Sequence, residues 1–381
     1  SPAMQTASFP HTDRTVSRLG FGCMRFPTIE KDGKKVIDRP QAIAMLRHAI
    51  DSGVTYVDTA YPYHDGESET VVGLALQDGY RDRVTLTTKL PLWLLETKAD
   101  MQRFLDEQLT KLKTDHVDFY LLHAMDKEAL EKMRKLDYPE FLEKAVKAGK
   151  VRYPGFSFHD DYKTFVEILN DYDWKLAQVQ MNVLDGDNQA TLQGIRDAGK
   201  KGVGVVIMEP LRGGALAHPP KEADALYDAF PEKRSAVEWA FRYLYDMPEV
   251  VTILSGMSTM EQLDDNLRIF AHAEKNCMND TEKKLIADVK AAYLCRMKTG
   301  CTGCRYCQPC PRNVHIPDIF HAWDESLMFD RPETLKRSMA RRQENKEDPS
   351  QCVACGKCEK ACPQHLPIIE LLKEADQAAK A

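Results

Sequence analysis

Along its length the chain alternates short apolar, β-branched runs with stretches in which apolar residues recur every three or four positions. Strand-like runs occupy residues 18–22, 54–59, 84–88, 117–122, 151–156, 177–180, 203–207 and 250–254. Helical patterns follow each of them: 38–53, a helix carrying Val71, Val72, Leu74 and Ala75, then 101–113, 127–148, 161–170, 188–200, 233–245 and 260–273. The first helix shows the local logic. Asp38 caps it, Pro40 suits its first turn, Ile43, Leu46 and Ile50 form its buried face, and Gly53 ends it. The strand runs show little alternation, as expected when both faces of a parallel sheet are covered. Eight strand-then-helix units predict an α/β fold of the (β/α)8 barrel type. A doubly wound open sheet would place a Gly-rich nucleotide loop after the first strand, and none is present.

In a barrel of this kind function sits at the C-terminal ends of the strands. Those ends carry Gly22, Asp58, Lys89, His123, Ser157, Gln180-Met181-Asn182, Glu209-Pro210-Leu211-Arg212 and Ser255-Gly256. The strands are apolar, so this polarity at one rim needs a cause. Asp58, Lys89 and His123 end strands two, three and four, and Tyr63 follows Asp58 on a loop. Together they can form a proton donor. A lysine ammonium beside a phenol is expected to lower its pKa, and a carboxylate keeps that ammonium charged. A histidine then positions a carbonyl oxygen or completes a proton relay. Taken singly, Asp58 and Lys89 read equally well as a structural ion pair and Tyr63 as a loop aromatic.

The segments Leu19-Gly20-Phe21-Gly22, Asp58 to Tyr63 with Glu67-Ser68-Glu69 behind, Thr88-Lys89-Leu90, Asp118-Phe119-Tyr120-Leu121-Leu122-His123, and Gly149-Lys150-Val151-Arg152 leading to Gly155-Phe156-Ser157 resemble the aldo-keto reductase superfamily. The resemblance covers about residues 15 to 275 and implies an NAD(P)H-dependent carbonyl reductase with Asp58, Tyr63, Lys89 and His123 as its tetrad. It implies nicotinamide contacts at Ser157 and Gln178, with Met208 where a stacking aromatic is usual, and Gly22 and Met24 at the end of the first strand. Pro210, Leu211, Arg212 and Gly213 fit the pyrophosphate loop, and Ser255, Gly256, Gln262, Asp265 and Asn266 fit the adenosine end. No basic residue stands at Gly256 or Gln262, where many NADPH-specific members pair the 2′-phosphate, so NADH or NADPH is expected. Trp93, residues 64–66 and Arg25 are expected to shape the pocket of a small carbonyl substrate, with Arg25 pointing to an anionic or polar group.

Composition narrows the classes further. The chain has 381 residues, 43% hydrophobic and 29% charged, with a formal net charge of −6, which speaks against nucleic acid or an anionic membrane as partner. No long apolar run predicts a membrane span. Ser1-Pro2-Ala3-Met4 lacks the features of a signal peptide and reads as an artificially appended remnant ahead of a native Met4, so a cytoplasmic location is expected.

The eleven cysteines change the picture most, because eight crowd the C-terminal region. Cys301, Cys304, Cys307 and Cys310 form one run ending Cys-Pro, and Cys352, Cys355, Cys358 and Cys362 form another. The second has the bacterial ferredoxin spacing for a 4Fe-4S cluster, in which the fourth cysteine ligates the other cluster. The resulting assignment is Cys301, Cys304, Cys307 and Cys362 for one cluster and Cys352, Cys355, Cys358 and Cys310 for the other. The first run is one residue short before Cys310, which leaves that exchange open. Zinc is the main alternative, but it commonly takes two separated pairs of ligands. Cys23, Cys277 and Cys295 read as small buried hydrophobes. Residues 295–381 therefore read as a small, mainly helical ferredoxin-like domain after a barrel over 15–294, with helices at 318–329 and 333–345.

Lys336, Arg337, Arg341, Arg342 and Lys346 make a basic face, read as a solvated helix face or as a docking patch for an acidic ferredoxin or flavodoxin. Three functions follow. The first is carbonyl reduction by hydride transfer with Tyr63 as general acid/base. The second is a ferredoxin-linked one-electron reductase holding a flavin or a radical-capable substrate. The third is an electron-transfer or scaffold subunit whose barrel is not catalytic.

Overall fold

The computed structural model describes residues 4–381; the reading of residues 1–3 falls outside it. Strands Leu19–Gly22, Tyr56–Asp58, Thr85–Leu90, Val117–Met125, Val151–Phe158, Leu176–Gln180, Gly204–Met208 and Val250–Ser255 run parallel and close into a barrel, the eighth pairing with the first. The expected barrel is the observed architecture. Its interior is filled by Tyr56, Phe119, Leu121, Leu176, Val206, Val251 and Leu254. A second, larger apolar layer lies between the strands and their helices. Helix Lys98–Leu112 illustrates how that layer forms. A capping box between Thr97 and Asp100 starts it, and Met101, Phe104, Leu105, Leu109 and Leu112 line its inner face.

An unforeseen hairpin, Thr6–Ser8 with Thr15–Ser17, closes the N-terminal end of the barrel. It delivers Phe9 inward, with its ring 4.6 Å from that of Phe119. A Cβ on Gly204 would lie 2.3 Å from the Phe9 ring, so only glycine fits there. The buried Arg18 guanidinium donates to the carbonyls of Tyr245, Val250, Val251 and Ala273 at 2.9–3.1 Å, tying the start of the eighth strand to the ends of the helices on either side of it.

Two helix readings needed correction. The pattern over 127–148 is two helices, Lys127–Lys135 and Tyr138–Lys147. Asp137 between them takes a left-handed φ of 52°, and Pro139 cannot continue a preceding helix. After the seventh strand, where only the pattern at 233–245 was read, helix Lys221–Ala229 precedes helix Ala236–Tyr245.

The chain divides into two compact units, residues 1–213 with 237–279, and residues 214–236 with 280–381. In the second unit, Arg296 ties the early segment to the later one. It donates to Glu222 at 2.8 Å and to the Leu327 carbonyl at 2.7 Å. Helices Ile316–Met328, Pro332–Glu344 and Ile368–Lys380 bury Ile319, Phe320, Trp323, Leu335, Met339, Leu371 and Leu372 against one another. No helix among the described residues is long and apolar enough to cross a membrane.

Candidate functional site

The end of the second strand places Asp58 directly beside Gly22 on one neighbouring strand and Thr87 on the other. Lys89, fully buried, reaches across from the third strand. Its Nζ donates to Asp58 Oδ2 at 3.0 Å, to the Thr59 carbonyl at 2.9 Å and to Tyr63 Oη at 3.0 Å. Three donors thus meet three acceptors in fixed directions. Asp58 Oδ1 lies 3.0 Å from the same nitrogen but makes no hydrogen bond of its own. Burial alone would drive the ammonium to lose its proton, but the Asp58 carboxylate and the Tyr63 oxygen outweigh it, and the Lys89 pKa is raised. Burial pushes the Asp58 carboxyl up while Lys89 pulls it down. The geometry, with two contacts to one ammonium, supports the charged pair.

Tyr63 differs from the sequence expectation. Its pKa is raised, because burial of the half-exposed phenol's oxygen end outweighs the downward pull of Lys89. The hydroxyl is therefore held protonated. Its loop is pinned from behind. His64 and Asp65 both adopt φ of 53°, and His64 Nε2 accepts from the Phe26 amide at 3.0 Å with the two rings stacked. His64 thereby holds the Tyr63 turn against Phe26.

His123 stands edge-on to Tyr63, ring centroids 6.1 Å apart at 87°, and 5.2 Å from Trp93. Its buried Nδ1 has no hydrogen-bond partner. Burial, reinforced by repulsion from Lys89 and His159, holds its pKa down to about 3, so the ring is neutral throughout the physiological range. A histidine neutral when folded but basic when unfolded supplies stability that is complete above the unfolded pKa near 6.5 and is lost as pH falls below it, at about 1.4 kcal/mol per pH unit. His123→Gln is accordingly expected to lose less stability than the wild type between pH 7 and pH 5 in urea titrations. Equal losses would refute the assignment of this acid sensitivity to His123.

Gln108, outside the sequence reading, fixes Lys89 together with Glu69. Gln108 Nε2 donates to the Lys89 carbonyl at 2.7 Å and to Glu69 Oε2 at 2.9 Å. Glu69, buried, also accepts from Thr88 Oγ1 at 2.7 Å and pairs with Lys111 at 3.2 Å. A polar residue on the inner face of an otherwise apolar helix was the available signal for Gln108.

The remaining predicted contacts fall into two groups. Ser157 and Gln178 are direct neighbours across paired strands, both buried. Ser157 Oγ accepts from the Ala124 amide at 2.7 Å. Gln178 Nε2 points at Met208 Sδ, 3.6 Å away, and its Oε1 is buried without a donor. At the far side, Ser255 Oγ donates to Asn266 at 2.6 Å, Gln262 Oε1 accepts from the Ser258 amide at 2.8 Å, and Asp265 is paired with Arg268. Glu209, Arg212 and Gly213 all take positive φ around Pro210 and Leu211, so this loop turns back sharply. Met24 is exposed, and Gly22 leaves only 3.3 Å between a would-be Cβ and the Ser255 carbonyl.

Arg25 is the surprise of this group. Its side chain lies against Gly256 and reaches Glu209 at 3.6 Å, while Ser258 donates to its carbonyl. The methylene stem of Arg25 thus covers Gly256, while its guanidinium sits beside Gly213, where Glu209 meets its charge.

In the second unit, one pocket is lined by Cys301, Cys304, Cys307 and Cys362, and another by Cys307, Cys310, Cys352, Cys355 and Cys358. The amides of Gly303, Arg312 and Ala354 each point at the sulfur two residues earlier, at 3.4 Å from Cys301, Cys310 and Cys352. Such N–H groups favour anionic sulfur. No three described His, Cys, Asp or Glu side chains converge on a single-ion site. Thiolates of a cubane bind four separate corners and do not converge.

Asp324, missed in the sequence, anchors the first run. Buried, it accepts from the amides of Lys298, Thr299 and Gly300 and from the Thr299 hydroxyl at 2.6–3.0 Å. Gln364 staples the two runs, donating to the Gly300 carbonyl and accepting from the Thr302 amide. Asp324→Ala strands these donors and is expected to destabilise the protein by roughly 3 kcal/mol or more. A denaturant midpoint at the wild-type value would disprove that. Of the basic helix face, Arg342 is engaged with Glu347 and His315, and Lys336 with the C-terminal carbonyl, while Arg337, Arg341 and Lys346 are exposed.

The profile of the aldo/keto reductase family matches residues 18–281, and that of the 4Fe-4S dicluster domain matches residues 300–367. An uncharacterized oxidoreductase of Bacillus subtilis (strain 168) is 26% identical over 289 residues, 68% of this chain and 88% of the relative. A thermostable aldo-keto reductase solved with the inhibitor epalrestat is 26% identical at a TM-score of 0.62, covering 75% of this chain and 100% of its own. An aldo-keto reductase from Klebsiella pneumoniae solved with NADPH shares the fold at 24% identity and a TM-score of 0.60, covering 76% of this chain and 95% of its own.

Proposed function

Since the chain belongs to the aldo/keto reductase family, as an oxidoreductase joined to a 4Fe-4S dicluster domain, we propose that its barrel reduces an aldehyde or ketone, or runs the reverse oxidation, using NADH or NADPH. The observation that carries this reading is the single Lys89 ammonium held at 3.0 Å from both Asp58 and Tyr63. A bound nicotinamide supplies the hydride. Tyr63 donates its proton to the carbonyl oxygen, and the Lys89 charge stabilises the phenolate that remains. Asp58, buried like Lys89, keeps that charge in place. The neutral His123, edge-on to Tyr63, has a free ring nitrogen to position that oxygen and carries no charge to repel Lys89.

The residues present fit a nicotinamide. The unpartnered Gln178 Oε1 matches an amide N–H, beside a serine hydroxyl on the neighbouring strand. Met208 offers a polarizable face instead of an aromatic ring. Arg25 places its methylene stem against Gly256 and its guanidinium beside Gly213 and Glu209, so the structure favours neither NADH nor NADPH. Protein fluorescence titrated with each dinucleotide tests the reading. Absence of saturable quenching by either would count against it.

The dicluster domain favours a second reading, because hydride carries two electrons and each cluster carries one. Cys301, Cys304, Cys307 and Cys362 would hold one cluster, and Cys310, Cys352, Cys355 and Cys358 the other. A flavin in the barrel would join the two kinds of transfer. Iron, sulfide, flavin and nicotinamide measured on one anaerobic sample decide between them. Flavin at one equivalent per chain supports the second reading, and its absence restricts that reading to a radical-capable substrate.

A further inference from the structure

Of the exposed large apolar side chains among the described residues, Tyr306 and Val353 are the most exposed, at 70% and 59%. They belong to different cysteine runs, yet both line the pocket of Cys310, Cys352, Cys355 and Cys358. Around them at the same mouth stand exposed Pro309 and Pro311, then Arg312 and Lys357. No acidic residue lines this pocket. The nearest in sequence, Glu359, is occupied in accepting from the Ile369 amide at 3.0 Å. The chain as a whole carries a net charge of −6, so this cationic mouth is opposite in sign to the whole.

An apolar centre with a charged rim is the anatomy of a protein interface, and a small one suits a transient encounter. Two features of this face have no internal use. Tyr306 and Val353 bury nothing, and the Arg312 and Lys357 side chains extend outward beside a proposed cluster.

We propose that the face formed by Tyr306, Val353, Arg312 and Lys357 is the docking surface for a small acidic protein that carries single electrons. The assignment rests on the reading of the cysteines as cluster ligands. One electron leaves the carrier, which is oxidised by one equivalent, and the cluster behind Cys310, Cys352, Cys355 and Cys358 is reduced by one. No bond or proton moves. The cationic rim attracts the acidic carrier, and the exposed tyrosine and valine seat it over the shortest path to the metal.

The test uses the full-length, iron-loaded protein and a plant-type 2Fe-2S ferredoxin, a small acidic single-electron carrier, as probe. Iron and sulfide are measured first. A wild-type chain without iron would overturn the cluster reading itself rather than the surface. With iron in place, Arg312→Glu/Lys357→Glu is expected to weaken ferredoxin binding at low salt about tenfold or more and to flatten its salt dependence. Cluster bleaching by the reduced ferredoxin should slow by a similar factor. Bleaching by reduced methyl viologen, which needs no docking surface, should not slow. Tyr306→Ser/Val353→Ser keeps every charge and is expected to weaken ferredoxin binding as well. Binding within twofold of wild type for both variants would overturn the proposal. So would an equal loss with methyl viologen, which would place the defect in the cluster. Wild-type dimers that dissociate on Tyr306→Ser would assign the face to a second copy of the chain and overturn it too.

Discussion

Tyr63→Phe is expected to lower kcat for carbonyl reduction by about 10²- to 10⁴-fold, the usual contribution of a positioned general acid, while KM changes little. The substitution removes one oxygen and leaves the ring, so the edge-on contact with His123 and the Lys89 cation over the ring face at 4.7 Å both survive. Because Tyr63 is held protonated by its burial, the wild-type rate of reduction should stay level through neutral pH and decline only in strong alkali. Reduction needs the acid form, and the raised pKa keeps it. Lys89→Met should act in two ways. It removes the positive charge that makes the phenolate tolerable, and it leaves Asp58 as an unpaired buried carboxylate, a loss of roughly 3–5 kcal/mol by analogy with broken buried pairs. Anaerobic kinetics on a panel of aldehydes and ketones, with thermal melts to confirm folding, check both. If Tyr63→Phe matched the wild type on every carbonyl that the wild type reduces, the phenol would not be the acid.

The barrel and the positions at its rim were legible because they follow from local rules. Strands covered on both faces must be apolar, so Asp58, Lys89 and His123 at their ends stood out against the runs that lead to them. What escaped reading depends on contacts far apart in sequence. Gln108 meets the Lys89 carbonyl from a helix, and Asp324 caps amides some twenty-five positions earlier. Arg25 reaches Gly256 from the other end of the barrel chain. The Tyr63 expectation failed for a related reason. Lys89 was visible as a neighbour able to lower the phenol pKa, but the opposing burial is a property of the packed site. The helix break at Asp137 was readable from Pro139, whereas the hairpin that carries Phe9 consists of strands of three residues each and has no pattern long enough to read.

Cys304→Ala/Cys362→Ala is expected to halve the iron, from about eight to about four atoms per chain, although the two cysteines lie in different runs. Their pocket is shared with Cys301 and Cys307, and Cys310 lines the other one. The crossed pattern makes a sharper claim than a count of cysteines. Cys310→Ala/Cys355→Ala should also leave about four irons, because both residues belong to the second cluster. Cys304→Ala/Cys310→Ala, confined to one run, should lose nearly all of them. The uncrossed arrangement predicts the reverse: the variant within one run keeps half, and the variants spanning two runs lose everything. The Gln364 staple between Gly300 and Thr302 supports the crossed form, since it holds the residue after Cys362-Pro363 against the start of the first run. Iron and sulfide analysis of the three anaerobically purified double variants separates the two arrangements without reference to any catalytic activity.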